Sequence, residues 1–147
     1  MADPLEIVDF VGTAPDALLR ASAGRVRAGQ GWVNLIPLVD DPEDVPRPSV
    51  WASIFGARGP AIPVCTWTRE SVGIQHGMST RAGAVLREAG ITLPDGWRPV
   101  QDSPRRGIVI EIPPDADPEL VVTWLVRAGS ALSTVLLTGD WRGVIYE

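Results

Sequence analysis

Residues 107–138 constrain the fold most, because they read as a strand, a capped helix and a second strand. The run 108–112 has the β-branched density of a buried strand, and the pair Pro113-Pro114 ends it. Asp117 stands where a carboxylate can cap the first free amides of a helix, and Pro118 fits the first helical position. The stretch therefore predicts a strand and a helix that pack together.

The predicted helix at 118–133 is apolar around most of its circumference. Its polar side chains recur at i, i+4, i+8 and i+11 and form a single narrow stripe: Glu119, Thr123, Arg127 and Ser130. One sheet face needs an apolar stripe only about 100° wide, so a second partner must cover the rest of this helix. Either the N-terminal part of the chain or a second copy can do so, and we expect a homodimer. The interface residues expected on that basis are Leu120, Trp124 and Val126.

The order of elements predicts an α+β fold. From residue 61 onward the pattern is strand, helix, strand, strand, helix, strand, which is the ferredoxin-like βαββαβ order, over 61–146. A βαββ extension precedes it, with strands at 5–11, 32–39 and 49–55 and a helix whose capping box joins Thr13 and Asp16. We expect a two-layer sandwich in which helices cover one face of a largely antiparallel sheet. The length of 147 residues predicts a single domain, 1–147.

Several boundaries depend on glycine and proline. The acidic, proline-rich run 40–48 and the polar run 68–77 are predicted as loops. Gly77 or Ser79 can start the helix that Gly90 ends. Pro37 predicts an edge position or a bulge, and Pro99 predicts an edge strand.

Composition bounds the partners. A net charge of -5 argues against nucleic acid and against an anionic membrane surface. No signal-peptide pattern and no apolar run near the ~20 residues of a membrane span is visible, and Cys65 is the single cysteine. These features predict a cytoplasmic protein. The 13 basic residues are all arginine, which suggests a bacterial source.

The residues that resemble catalytic groups are few. Cys65 and His76 are the one combination that looks like a nucleophile and a base, and Asp102 could share a cleft with them. A cysteine within an apolar strand is more often a packing residue, and a lone loop histidine is more often solvated. One histidine and one cysteine leave no metal-ligand set, and no phosphate loop or dinucleotide fingerprint is found. We expect no metal and no cofactor.

The binding candidates are tryptophans and arginines. Trp32, Trp51 and Trp67 lie near the ends of predicted strands, where an indole can be half-buried at a pocket. Arg105 and Arg106 share a turn, and a guanidinium can hold a carboxylate or a phosphate by two hydrogen bonds. Core packing and solubility are the structural alternatives for these residues.

The sequence leaves two hypotheses of function. The first is a soluble, acidic, non-catalytic protein, dimeric, that binds a protein partner or a small apolar ligand through a tryptophan-rich surface. The alternative is a small hydrolase or transferase that uses Cys65, His76 and Asp102.

Overall fold

The computed structural model describes residues 3–40 and 61–147. The strand expected at 49–55, its hairpin with 61–67 and all of the acidic loop beyond residue 40 lie outside the described residues, as does Trp51. The described elements are β1 (Pro4–Val11), α1 (Asp16–Arg27), β2 (Trp32–Pro37), β3 (Val64–Trp67), β4 (Ser71–Gln75), α2 (Ala82–Glu88), β5 (Arg98–Ser103), β6 (Gly107–Glu111), α3 (Pro118–Ala131) and β7 (Asp140–Tyr146).

The seven described strands form one sheet in the order β1-β7-β2-β3-β4-β6-β5, and every neighbouring pair is antiparallel. The three described helices lie on one face of this sheet. Helix α1 contacts β1 and β2, α3 contacts β2, β3 and β4, and α2 contacts β5 and β6. The predicted α+β class, with helices on one face of an antiparallel sheet, is confirmed.

Two crossovers place the outer helices. Strands β1 and β2 both flank β7 antiparallel, so they run parallel to each other and α1 joins them across β7. Strands β4 and β5 flank β6 in the same way and α2 joins them. Helix α3 connects β6 to β7 over the three strands that separate them, which puts it above the middle of the sheet.

The position of α3 explains its apolar surface. It contacts the sheet below, α1 on one flank and α2 on the other, so this chain itself covers both flanks. Its buried apolar side chains each stabilise the fold by about 1.5–3 kcal/mol relative to exposure: Val121, Val122, Leu125 and the following Leu132. The predicted polar stripe is exposed. The predicted cap is also present, because the Asp117 side chain accepts a hydrogen bond from the Glu119 amide.

The prediction of a loop over 68–77 is wrong, because this segment contains β4. Val72 and Ile74 are both buried and alternate with the less buried Gly73, as in a half-buried strand. The glycine gave the segment the composition of a loop. Thr68 and Ser71 close a tight turn by backbone and side-chain hydrogen bonds, so β3 and β4 form a hairpin.

This additional strand changes the arrangement of the βαββαβ unit. The order begins at β4 instead of at residue 61, and β2 and β3 lie between β4 and β7 in the sheet. The N-terminal extension is therefore interleaved with the later strands. The ferredoxin-like assignment stays a prediction.

Both shorter helices start later than predicted. Helix α1 begins at Asp16 with Pro15 at its N-cap and has no side-chain cap, so the capping box at Thr13 does not form. Pro15 has no side-chain acceptor, and its backbone carbonyl accepts the first hydrogen bond of the helix, from the Leu19 amide. Helix α2 begins at Ala82, after both predicted starts, and Gly90 has the positive φ of 73° that suits a helix end.

The second strand predicted within 107–138 does not form. The Ser133 hydroxyl bonds the backbone of Val135 twice and holds a turn there, and Leu136 is 93% exposed. The last strand is β7. Strand β5 is an edge strand, as Pro99 predicts, whereas Pro37 ends the interior strand β2, where the strand's pairing stops.

Candidate functional site

The face of the sheet that none of the three described helices covers is called the helix-free face here. The side chains that alternate with the core residues of β2, β3, β4 and β6 point toward it. One row across these strands consists of Asn34, Thr66, Gly73 and Val109, which the strand registers place side by side. The Thr66 hydroxyl donates a hydrogen bond of 2.8 Å to the Asn34 side-chain carbonyl.

A shallow hollow of about 200 Å³ lies on this face. Gly73 forms its floor because no side chain rises there. Its walls combine apolar and polar groups from β3, β4, β6 and the β5–β6 turn: Val64, Thr66, Ser71, Gln75, Arg106 and Val109. Among residues 3–40 and 61–147, no acidic side chain lines the hollow.

The geometry at Gly73 does not require glycine. Its φ lies outside the left-handed region, and a Cβ built there would lie 3.4 Å from the Ile108 carbonyl oxygen and 3.9 Å from Val109 Cγ2. These are ordinary van der Waals contacts. Glycine inside a strand weakens the strand and often marks a close approach of a ligand or another backbone.

The predicted arginine pair lies in the turn between β5 and β6. The backbone amides of Arg105 and Arg106 both donate to the Ser103 hydroxyl, at 3.2 and 3.3 Å, which fixes the turn. Arg106 reaches the hollow, and within the described residues its guanidinium makes no ion pair. The structure thus brings one of the two arginines to a cavity.

The tryptophans divide between the core and the helix-free face. Trp32 is half-buried and stacks on Tyr146, with ring centroids 5.1 Å apart and planes 12° apart. Trp67 is only 2% exposed and packs under the helices, so it does not reach the surface. The other described tryptophans are also core residues: Trp97, Trp124 and Trp141.

Cys65 lies in the core between β3 and α3. Its thiol is fully buried and lies 3.7 Å from the Leu125 carbonyl oxygen, to which it donates a weak hydrogen bond. Burial raises the pKa of the Cys65 thiol far above its ordinary value. A thiol in this state carries no thiolate at neutral pH, so its packing role dominates.

His76 is buried directly after β4. Its Nδ1 accepts a hydrogen bond from the Met78 amide, so the neutral ring carries its proton on Nε2. That Nε2 has no hydrogen-bond partner among the described residues. Burial lowers the pKa of His76, and the Asp102 carboxylate partly opposes the shift.

Asp102 is engaged in the fold. Its two carboxylate oxygens accept hydrogen bonds from the amides of Ala82 and Gly83, the first residues of α2. Cys65 and Asp102 lie in the same cross-strand row, but β4 and β6 separate them. At about 4.8 Å per strand their backbones are roughly 14 Å apart, so the structure does not gather Cys65, His76 and Asp102 around one point.

The residues expected at a dimer interface have different surroundings. Trp124 is 4% exposed, contacts Trp97 edge to face at 5.3 Å between centroids, and donates from Nε1 to the Thr92 carbonyl oxygen at 3.0 Å. Val126 is half-buried. Leu120 is 44% exposed and is the one member of this set that a partner could reach without rearrangement.

Among residues 3–40 and 61–147, no group of three or more His, Cys, Asp or Glu side chains could hold a metal ion. No helix in this part of the chain is long and apolar enough to span a membrane. Comparison of the chain with protein-family models, with curated proteins and with solved structures found no match.

Apart from Arg106, sequence reasoning missed the residues that form the hollow, above all Gly73 and Thr66. The signal was present as a period of two. In β2 to β4, every second residue is apolar and buried, and the less buried residues between them include the small or polar Asn34, Thr66 and Gly73. The central strands of a two-layer fold carry such residues on the face that no helix covers.

Proposed function

We propose that this protein is a non-catalytic binding protein and that its ligand site is the hollow over Gly73. The observation that carries the proposal is the glycine itself. A glycine within a strand lowers the stability of the strand. No neighbouring atom lies so close to Gly73 that it would exclude a Cβ there. The absent side chain keeps about 200 Å³ open on a face that no described helix covers.

The lining of the hollow favours a small organic acid. Val64 and Val109 offer apolar contact, Thr66 offers a hydroxyl, and Arg106 offers a fork of donors that matches a carboxylate. The chain as a whole has a net charge of -5, so an anion would be bound by this local arginine and not by the overall field. We propose a ligand with a short apolar body and one carboxylate.

Ligand-detected NMR with a panel of small aliphatic and aromatic carboxylates tests the site. Gly73→Val fills the hollow and should abolish binding, and it should leave unfolding in urea unchanged or shifted to higher urea, because valine favours strands. Arg106→Gln should weaken binding by about 10-fold or more, as expected for loss of a charge-assisted bond worth about 1.5–3 kcal/mol.

Arg20→Gln is the matched control. It removes the same charge from an exposed position on α1, across the sheet from the hollow, and should leave binding unchanged. If no carboxylate in the panel binds, or if Gly73→Val binds as well as the natural chain, the proposal fails.

The enzymatic alternative depends on Cys65 and His76. One observation favours it. The Nε2 of His76 is buried and carries a proton, but it has no hydrogen-bond partner among the described residues, and the charge of Asp102 acts on the ring. The enzymatic alternative requires a reactive thiol, and burial acts against one. Rapid modification of the folded protein by a thiol reagent, slowed by His76→Ala, would favour an enzyme. Modification only after denaturation would favour the binding protein.

Self-association also remains a proposal. The surplus apolar surface of α3, from which the homodimer was expected, is covered by α1 and α2. A dimer through α3 would use the part that these helices leave exposed, such as Leu120.

A further inference from the structure

The two outer strands of the sheet differ in their protection against pairing with another strand. An edge strand presents a row of unpaired backbone N–H and C=O groups, and proteins commonly block such a row with proline, bulges or charges. Strand β5 has all three. It contains Pro99, its register with β6 shifts between Pro99 and Gln101, and Arg98 forms an ion pair with Glu111.

Within the described residues, strand β1 is protected at its first residues and at its last residue, Val11, which bridges to Ala14. Pro4 and the register shift before Glu6 disturb the start of the strand. From Glu6 to Val11 each residue pairs in order with β7, so up to the Val11 carbonyl, which accepts from the Ala14 amide, the outer side of this segment presents a regular row of donors and acceptors. Residues 6–10 thus present five regular positions, which is a strand of ordinary length.

The side chains along this segment do not keep another strand away. Ile7 is 57% exposed and Val11 is 50% exposed. Asp9 is charged, but Arg142 on β7 donates two hydrogen bonds to its carboxylate, at 2.8 and 3.1 Å, and neutralises it within the sheet. Glu6 is the single charge of the segment that has no counter-charge among the described residues.

We propose that β1 pairs antiparallel with β1 of a second copy about a two-fold axis at Ile7. The two sheets then join edge to edge into one continuous sheet. About this axis residues 6–8 of the two copies pair within their regular segments, which satisfies the outer backbone groups of Ile7 and covers part of its exposed side chain in each copy. The proposal concerns a surface away from the hollow over Gly73 and does not depend on a ligand there.

The choice of axis follows from charge and from side-chain direction. In a symmetric antiparallel pair, residues directly opposite each other point to the same face of the sheet. The two-fold axis must therefore pass through one residue, which lies directly opposite the same residue of the second copy. An axis at Glu6 or Asp9 would set identical carboxylates against each other. An axis at Val8 would set Ile7 against Asp9. An axis at Ile7 sets Glu6 against Val8 and the two Ile7 side chains against each other, and no like charges meet.

The net charge of -5 on each copy opposes association. Salt screens this repulsion, so the dimer should strengthen as ionic strength rises, in contrast to an assembly held by ion pairs.

Sedimentation of the full chain from low micromolar to near millimolar concentration tests the surface. We expect the mass to rise from 15.8 kDa toward twice that value. Ile7→Lys places two ammonium groups against each other and should hold the chain at the single mass. Val100→Lys is the matched control, since Val100 is 50% exposed on the other edge strand, and it should dimerise like the natural chain.

Cross-linking tests the axis. Ile7→Cys should give a covalent dimer on mild oxidation, because opposite Cβ atoms lie about 4.5–5.5 Å apart, whereas Val11→Cys should not. Cys65 is buried and does not compete. A single mass at every concentration, a dimer that survives Ile7→Lys, or cross-linking at Val11→Cys in place of Ile7→Cys would each overturn the proposal.

Discussion

The carboxylate of Asp102 on β5 caps α2 from outside the helix, with Oδ1 2.8 Å from the Ala82 amide and Oδ2 3.0 Å from the Gly83 amide. The N-cap residue of α2, Arg81, has no side-chain oxygen to offer. A Cβ on Gly83 would lie 2.8 Å from Oδ2, so glycine allows the carboxylate to approach. The short helix is thus fixed to the sheet edge by a charged cap that lies about 20 residues away in the chain.

Asp102→Ala should lower the free energy of unfolding by about 1–2 kcal/mol, the upper part of the range for losing an N-cap, because two amides lose their acceptor together. Urea unfolding followed by circular dichroism measures the change. Asp115→Ala is the control, since Asp115 is exposed and should shift stability by less than about 0.5 kcal/mol. Equal effects of the two substitutions would show that the cap contributes little.

Stability should fall on mild acidification because of His76. Burial lowers its pKa in the folded chain, so the unfolded chain binds the proton more readily. The contribution of the neutral ring is complete above the ordinary value of 6.5 and is lost as pH falls from there through the lower folded pKa. Protonation also puts a hydrogen on Nδ1, where the Met78 amide now donates. Urea midpoints measured at a series of pH values should show this decline.

His76→Asn separates this effect from other acid effects. The asparagine carbonyl can accept the Met78 hydrogen bond, but the side chain does not titrate, so the decline just below pH 6.5 should disappear. The pKa of Asp9 is lowered from 3.8 by its hydrogen bonds to Arg142, and its contribution is lost only at more acidic pH. A variant with an unchanged profile near pH 6 would contradict the assignment to His76.

The sequence predicted best where one chemical signal had one structural meaning. Asp117 before Pro118 predicted the start of α3, and the stripe of Glu119, Thr123, Arg127 and Ser130 predicted its exposed side. The same helix left its partner open between the chain itself and a second copy. The width of the apolar stripe shows that a helix surface must be covered, but it does not show which element covers it. The positions of α1 and α2 beside α3 depend on the strand order, which local sequence patterns do not encode.

The candidate site was harder to predict because it depends on a missing side chain, at Gly73, and on the register in which separate strands pair. Gly73 looked like a loop residue, since glycine in a sequence signals a turn more often than a strand interior. Its neighbours Thr66 and Val109 come from strands whose pairing is known only from the fold. For Cys65, its apolar neighbours did indicate the buried packing site that the structure has.

Trp124→Ala should destabilise the chain by about 3–5 kcal/mol, because it opens a cavity between α3 and the segment after α2 and removes a partner of Trp97. Leu120→Ala on the same helix is the control and should cost less than about 1 kcal/mol, since Leu120 is 44% exposed. Urea unfolding of both variants measures the difference. A loss below about 1 kcal/mol for Trp124→Ala would place its indole outside the core.

Gly129 and Gly24 both lie within helices, and alanine should have opposite effects at the two positions. A Cβ on Gly129 would lie 2.9 Å from Cys65 Sγ and 2.9 Å from Trp141 Cη2, so Gly129→Ala forces α3 away from the sheet and should cost about 1–3 kcal/mol. A Cβ on Gly24 meets nothing within 4 Å, so Gly24→Ala should stabilise by about 0.4–1 kcal/mol through helix propensity. Thermal unfolding of the two variants should move the midpoint in opposite directions. Because the two substitutions are chemically identical, a shift in the same direction for both would mean that α3 does not pack on β3 and β7 as closely as these contacts require.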